Sequence, residues 1–276
     1  MQSNLFLNTF KGLQLRVKKT FANPYLKAGI STFNLKIIKN QVDNSLHISS
    51  FLDGKIAYYN SFEFLHGVKE IFIDEVYKIT LPENPVIIDC GSHIGLSVIY
   101  FKKLFPSAFI IAFEPDEKNF GLLAKNIQAF NLENIVLKNE AVWISNTKLA
   151  FSGEGNMGSK INASSSEKEH TTIVNAIRLK DILTGKIDFL KIDIEGAEYK
   201  VIRDIKDQLH LINNMFLEYH GSFEENIQLN ELLEIIVSSG FKYYIKEAAS
   251  VYPSPFFRGQ INNQYDIQLN IFCFRI

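Results

Sequence analysis

The sequence predicts an α/β protein: a doubly wound, mostly parallel sheet of seven strands whose last strand runs antiparallel, preceded by an N-terminal α+β extension. Three observations carry this. From Pro85 onward, short β-rich runs alternate with helix-length amphipathic stretches, the pattern of right-handed βαβ units with helices on both faces of a parallel sheet. The last two strands are joined through residues 247–265, where no helical pattern appears, and a parallel return needs a crossover. Polar and acidic residues gather at the strand ends, where open α/β sheets bind their ligands.

The elements follow in order. VIIDC (86–90) is a strand by its β-branched, uncharged run, and GLSVIYFKKLF (95–105) has apolar residues at helical spacing until Pro106 ends it. AFIIAF (108–113) is the second strand. The next helix covers 116–130, with Asp116 as its cap after Pro115 and Phe120, Leu122, Leu123 and Ile127 as its apolar stripe. IVLKNEAVW (135–143) reads as the third strand, TTIVNAIRL (171–179) as a short returning strand, and LKDIL as a helix. IDFLKID (187–193), MFLEYH (215–220) and FKYYIK (241–246) give three more strands, separated by helices near 196–209 and 225–239, and DIQLNIFCF (266–274) closes the series.

Two regions stand outside the alternation. Residues 144–170 are rich in Gly, Ser and Asn, too polar to pack and longer than an ordinary connection, so they read as a lid or an unstructured insertion. Residues 1–84 form the extension, with alternating patches at 33–38 and 46–50, ahead of a main α/β domain at 85–276.

The 276 residues carry 29 Lys plus Arg against 30 Asp plus Glu, a formal charge of −1, and 46% are hydrophobic. A chain of this length buries enough surface to need no disulfide or metal staple. Balanced charge weighs against DNA, RNA or an anionic membrane as partner, because nucleic-acid binding needs clustered Lys and Arg to displace counterions. The longest apolar runs, such as 108–113, fall far short of the ~20 residues that span a bilayer. Basic residues follow rather than precede the first apolar stretch, which is unlike a secretion signal. Cys90 and Cys273 lie in apolar strand-like runs, as buried thiols of a reducing compartment do; a cytoplasmic location is expected.

The first strand ends in Asp89-Cys90-Gly91-Ser92-His93-Ile94-Gly95. Gly91 lets the turn approach a ligand closely, and Gly95 lets the helix start against the strand with its N–H groups facing a polar group. His93 occupies the middle glycine of the dinucleotide fingerprint, so no pyrophosphate cradle is evident. The second strand ends in Phe113-Glu114-Pro115-Asp116, where an acidic residue grips ribose hydroxyls in this architecture. Glu114 is otherwise a solvated loop residue, and Asp116 reads as the helix cap.

Strand four ends in Lys191-Ile192-Asp193-Ile194-Glu195-Gly196-Ala197-Glu198. Three carboxylates so close repel one another, and a cationic or proton-donating group is expected to offset them. The plain alternative is that they cap the next helix. Glu218 and His220 share one face of strand five, as active-site residues or, for His220, as a histidine at the edge of the core.

With these residues assembled, the sequence resembles the FkbM family of S-adenosylmethionine-dependent methyltransferases, through IIDCGSHIG (87–95), FEPD (113–116), FLKIDIEGAE (189–198) and LEYH (217–220). The resemblance implies the Rossmann-like class I methyltransferase fold, with strand order 3-2-1-4-5-7-6, and O-methylation of hydroxyls on sugars, glycans or glycosylated metabolites. By position it implies that Asp89, Gly91, Ser92, His93 and Gly95 hold the methionine part of the cofactor, with Asp193 bordering it. Glu114 would hold the ribose, and Asn139 and Ala141 would lie near adenine. Asp193, Glu195, Glu218 and His220 would line the acceptor side. Members often carry Asn where His93 stands.

His220 is the expected general base, because its ordinary pKa lies near neutrality, with Asp193 or Glu218 orienting it. The competing reading makes Asp193, Glu195, Glu218 and His220 ligands of Mg²⁺ or Mn²⁺. Outside methyl transfer, the alternatives are an NAD-dependent oxidoreductase and a non-catalytic nucleoside-binding module. In the extension, Tyr58, Tyr59 and Tyr77 are either core residues or a stacking surface for a sugar; a homodimer contact is a further use of the region.

Overall fold

The computed structural model describes residues 23–152, 171–256 and 265–276. The chain divides into two compact units, Met1–Val76 and Tyr77–Ile276.

In the first unit, a 3₁₀ turn at Pro24–Ala28 precedes helix α1 (Thr32–Lys39), the hairpin β1 (His47–Phe51) and β2 (Gly54–Tyr58), and helix α2 (Ser61–Val68), which runs on into a π turn at Lys69–Ile73. The patch at 33–38, which alternates like a strand, is helical: Ser31 caps it, its hydroxyl accepting from Asn34 N at 3.1 Å. Tyr58 is core. Its ring stacks on Phe64 at 4.2 Å and its hydroxyl is shared between Ser49 at 2.5 Å and Gln41 at 2.8 Å.

The second unit opens with β3 (Val86–Cys90), α3 (Leu96–Leu104), β4 (Phe109–Phe113), α4 (Glu117–Ala129) and β5 (Ile135–Lys138). There follow β6 (Ala141–Trp143), β7 (Thr147–Ser152), β8 (Thr171–Arg178), α5 (Leu179–Ile182), β9 (Ile187–Ile192), α6 (Glu198–Asp204), β10 (Ile212–Gly221), α7 (Asn226–Ser238), β11 (Lys242–Glu247) and β12 (Ile267–Phe274). The main sheet has the order β5-β4-β3-β9-β10-β12-β11, which is the expected 3-2-1-4-5-7-6. β12 is antiparallel to both neighbours, and the other pairs are parallel. β9 is buried along its whole length, as a central parallel strand should be.

Beyond the 33–38 patch, the structure departs from the expected pattern in three places. The run 135–143 is two strands: β5 stays in the main sheet while β6 joins β7 and β8 in a second, three-stranded sheet. Asn139 makes the break, its side chain turned back to donate to Glu114 O at 2.9 Å and Pro115 O at 3.2 Å. The expected polar insertion is narrower, since β7 takes up residues 147–152; residues 153–170 lie outside the described ones. The division between the units also falls before Tyr77 rather than after residue 84, because the Tyr77 ring packs on Phe101 at 5.6 Å and on Phe216 at 4.9 Å within the second unit. Tyr77 is therefore core as well.

Both cysteines are buried and free, with burial raising each thiol, that of Cys273 to about 12. Among the described residues no helix is long and apolar enough to cross a membrane.

Candidate active site

The carboxyl ends of β3, β4, β9 and β10 meet at one edge of the second unit. The turn after β3 is built on close approach. A Cβ on Gly91 (φ 93°) would lie 1.9 Å from Asp193 O, and one on Gly95 (φ 93°) 2.8 Å from Leu123 Cδ1, so both positions require glycine. His93 also has a left-handed backbone, φ 48°, a region that His tolerates better than most residues. The N–H groups of Gly91 and Ser92 both donate to Phe113 O, at 3.0 and 2.8 Å, and the Ser92 hydroxyl donates to Asp89 O at 3.1 Å. Their hydrogen bonds brace the turn itself.

Glu114 is buried and both its oxygens are used: Oε2 accepts from His93 N at 2.8 Å and Oε1 from Asp116 N at 3.0 Å. Burial raises its pKa, with His93 and these two N–H groups pulling the other way. The carboxylate is thus fixed at the end of β4 beside the β3 turn. Asp116 caps α4, accepting from Asn119 N at 2.8 Å. Asn139 stands over the same loop, while Ala141 is fully buried in the core, so its methyl faces apolar neighbours.

Asp89 is wholly enclosed, taking the Ser97 hydroxyl at 2.5 Å and pairing with the Lys191 ammonium at 3.3 Å, so its carboxylate braces the turn from behind. Lys191 is equally buried and also donates to Gly91 O at 2.7 Å and to Asp193 Oδ2 at 3.3 Å. Burial disfavours its charge, but Asp89 and Asp193, with Tyr77 and Glu218 beyond them, raise its pKa well above the ordinary value. Lys191 is one of the two cations that the clustered acids require. The sequence held a signal for it, since a lysine in the middle of an apolar central strand is tolerated only when paired.

The second cation is His220, at the end of β10. Its Nδ1 lies 3.3 Å from Glu198 Oε1, and its Nε2 lies 3.7 Å from both Glu195 Oε2 and Glu218 Oε1. Glu198, expected mainly as a first-turn acid of the helix, is fully buried: it accepts from Ile194 N and Gly196 N at 3.1 Å and from His220 N at 3.4 Å. The orienting group is therefore Glu198, neither Asp193 nor Glu218. Burial opposes charge on the imidazole, but the Glu198 hydrogen bond and charge, then Asp193 and Glu195, outweigh it and hold the pKa at about 10. These acids favour the protonated ring, whereas an ordinary imidazole of near-neutral pKa is what marked His220 as a base. Burial also raises the Glu195 carboxyl, with His220 opposing.

A residue from the last loop completes the cluster. Tyr265 packs its ring on His220 at 4.8 Å and donates its hydroxyl to Glu195 O at 2.8 Å. No local pattern announced it, because it lies 70 positions from Glu195.

The site therefore pairs a fixed carboxylate at the end of β4 with an acid-lined mouth at the ends of β9 and β10, on a seven-stranded sheet of order 3-2-1-4-5-7-6. The family model of the Methyltransferase FkbM domain matches residues 89–243, more than half of the chain. The chain is 29% identical over 205 residues to Methyltransferase 1 of Beauveria bassiana (strain ARSEF 2860), a match covering 65% of this chain and 80% of that protein. It is likewise 29% identical over 204 residues to Methyltransferase sdnD of Sordaria araneosa, covering 60% and 78%. Among solved structures, Methyltransferase FkbM from Methylobacillus flagellatus KT is similar at a TM-score of 0.48 and 13% identity, covering 70% of this chain and 44% of that one. The chain belongs to the FkbM methyltransferase family and is an S-adenosylmethionine-dependent methyltransferase.

Proposed function

We propose that this methyltransferase acts on a hydroxyl group of a sugar, glycan or glycosylated metabolite, and that a carboxylate at the mouth of β9 and β10 takes up the proton. The observation that carries the reading is the convergence of Glu195 and Glu218 on His220 Nε2, each at 3.7 Å. An acid-lined mouth accepts hydrogen bonds from a polyol and repels a polyanion, which also argues against a nucleic-acid acceptor.

The cofactor supplies a methyl group on a cationic sulfur. The donor set fits it: Glu114 matches a ribose diol, and the partly exposed Asp193 carboxylate suits a positive centre. Alignment of acceptor oxygen, methyl and sulfur supplies most of the acceleration, with effective molarities of ~10⁵ M or more within reach. Glu198 and the imidazolium of His220 hold Glu195 and Glu218 in place. Glu195, partly exposed at the mouth, would receive the hydroxyl proton as the methyl–sulfur bond breaks and the methyl–oxygen bond forms, leaving a neutral thioether. His220 thus acts as a fixed cation that orders the base.

The metal reading has one observation on its side, since ligand atoms of Asp193, Glu195 and His220 lie within 4.8 Å of one another. A divalent ion would need neutral imidazole, whereas the acids around His220 raise its pKa and favour the proton on the ring, so proton and metal compete for Nε2. Transfer is expected to persist after chelation; loss on chelation with recovery on adding Mn²⁺ decides for the metal.

The test is a screen of nucleotide sugars, glycans and glycolipids with labelled S-adenosylmethionine, followed by Glu195→Gln, Glu218→Gln and His220→Gln on the acceptor found. Label on a hydroxyl oxygen, and a fall in kcat of about 10²–10⁴-fold for Glu195→Gln, support the reading. Label on nitrogen or carbon, or unchanged turnover in all three variants, overturns it. Sedimentation of the full chain decides whether a dimer contact belongs to the protein.

A further inference from the structure

We propose that Tyr265 is a positioning residue for the transfer, holding the Glu195-Gly196 turn through the Glu195 carbonyl and covering one face of the His220 imidazole, so that the Glu195 carboxylate stays at Nε2. The inference rests on the role given to Glu195 above.

Glu195 and Gly196 are two consecutive left-handed residues, φ 56° and 93°, and a non-glycine residue persists there only where its surroundings enforce it. Two groups do so, from opposite sides. From within the core, Glu198 accepts from Ile194 N and Gly196 N at 3.1 Å. From the loop side, the Tyr265 hydroxyl donates to Glu195 O at 2.8 Å while its ring packs on Gly196, where an added Cβ would meet Tyr265 Cε1 at 3.3 Å. The same ring lies 4.8 Å from the imidazole, tilted by 48°. One side chain therefore touches both partners of the Glu195–His220 pair.

The next residue anchors Tyr265. Asp266 N donates to Gly221 O at 2.9 Å, and the Asp266 carboxylate accepts from Phe223 N at 3.0 Å and from the Tyr252 hydroxyl at 2.5 Å. These bonds tie the start of β12 to the end of β10, immediately beyond His220. The tyrosine is thus presented from a braced position, as a group that fixes reacting geometry must be.

The test compares Tyr265→Phe and Tyr265→Leu in the full chain with His220→Gln. Three quantities are measured: affinity for S-adenosylhomocysteine by calorimetry, kcat and KM on the acceptor found by the labelled screen, and the His220 ring-proton shifts by NMR. Affinity for S-adenosylhomocysteine stays within twofold throughout. Tyr265→Phe keeps the ring-current displacement of the His220 signals but loses about tenfold in kcat; Tyr265→Leu loses the displacement and about a hundredfold in kcat, the scale of a reacting group misplaced by ~1 Å. If Tyr265→Leu turns over within twofold of wild type while His220→Gln is inactive, the positioning role is overturned and the site reading stands. A parallel loss of S-adenosylhomocysteine affinity makes Tyr265 merely structural and also overturns it. Full activity in His220→Gln and Tyr265→Leu alike overturns both.

Discussion

Glu198 Oε1 lies 3.3 Å from His220 Nδ1, between two fully or nearly buried side chains 22 positions apart. This contact sets the charge of the site. Replacing Glu198 with Gln keeps the shape and removes the charge, so the imidazole is expected to titrate well below about 10, toward its ordinary ~6.5. NMR titration of the ring protons checks this. Glu198→Ala also strips acceptors from Ile194 N, Gly196 N and His220 N and should cost about 3–5 kcal/mol in urea unfolding, as for a broken buried ion pair.

Stability should depend on pH through the same residue. The folded pKa of His220 is raised to about 10, above the ~6.5 of an unfolded chain. The contribution is therefore complete below about pH 6.5 and is lost as pH rises toward 10. The charged groups facing the ring are Glu198 on α6, Asp193 and Glu195 on the preceding turn, and Glu218 on its own strand. The stability difference between wild type and His220→Gln should shrink steadily between pH 6.5 and 10. A difference that is constant over that window rules the imidazolium out.

Lys191 and Asp89 form a buried pair at 3.3 Å. Lys191→Met leaves two carboxylates, Asp89 and Asp193, without their shared cation, and should destabilise by about 3–5 kcal/mol. Adding Asp89→Asn to Lys191→Met should recover part of that loss. A double-mutant cycle in urea measures it, and strict additivity means that the pair is not coupled.

Two glycines make a matched contrast. Gly91→Ala drives a Cβ to 1.9 Å from Asp193 O at φ 93°, whereas Gly121, inside α4, has nothing within 4 Å of an added Cβ. The first change should abolish S-adenosylhomocysteine binding in calorimetry. The second should raise stability by ~0.4–1 kcal/mol by restricting the unfolded chain, seen as a higher Tm with unaltered affinity.

Glu114 accepts two main-chain N–H groups and is held at the end of β4. Glu114→Gln keeps its size but gives up the charge, and hydrogen bonds to a charged group are worth ~1.5–3 kcal/mol. S-adenosylhomocysteine affinity should fall about 10–100-fold in calorimetry. Affinity within twofold of wild type removes Glu114 from the cofactor site.

The sequence alone determined the architecture and the region of the site. Strand and helix periodicity depend on near neighbours, so β3, β4, β9 and β12 were legible almost to the residue, and the lack of a helical pattern in the sequence between the last two strands pointed to the reversal of β12. The acids at the strand ends were visible for the same reason. Tertiary structure alone decided which charges meet. Lys191 reaches Gly91 from 100 positions away, Tyr265 reaches Glu195 from 70, and Asn139 turns from a strand residue into a break because Glu114 O and Pro115 O stand within its reach. The charge state of His220 belongs to this second class. An imidazole with an ordinary pKa near neutrality has that pKa raised only when sheet closure places it among Glu198, Asp193 and Glu195, where low dielectric magnifies each pairing. Local patterning specifies the elements, while electrostatics is set by distances between elements that exist only once the sheet has formed.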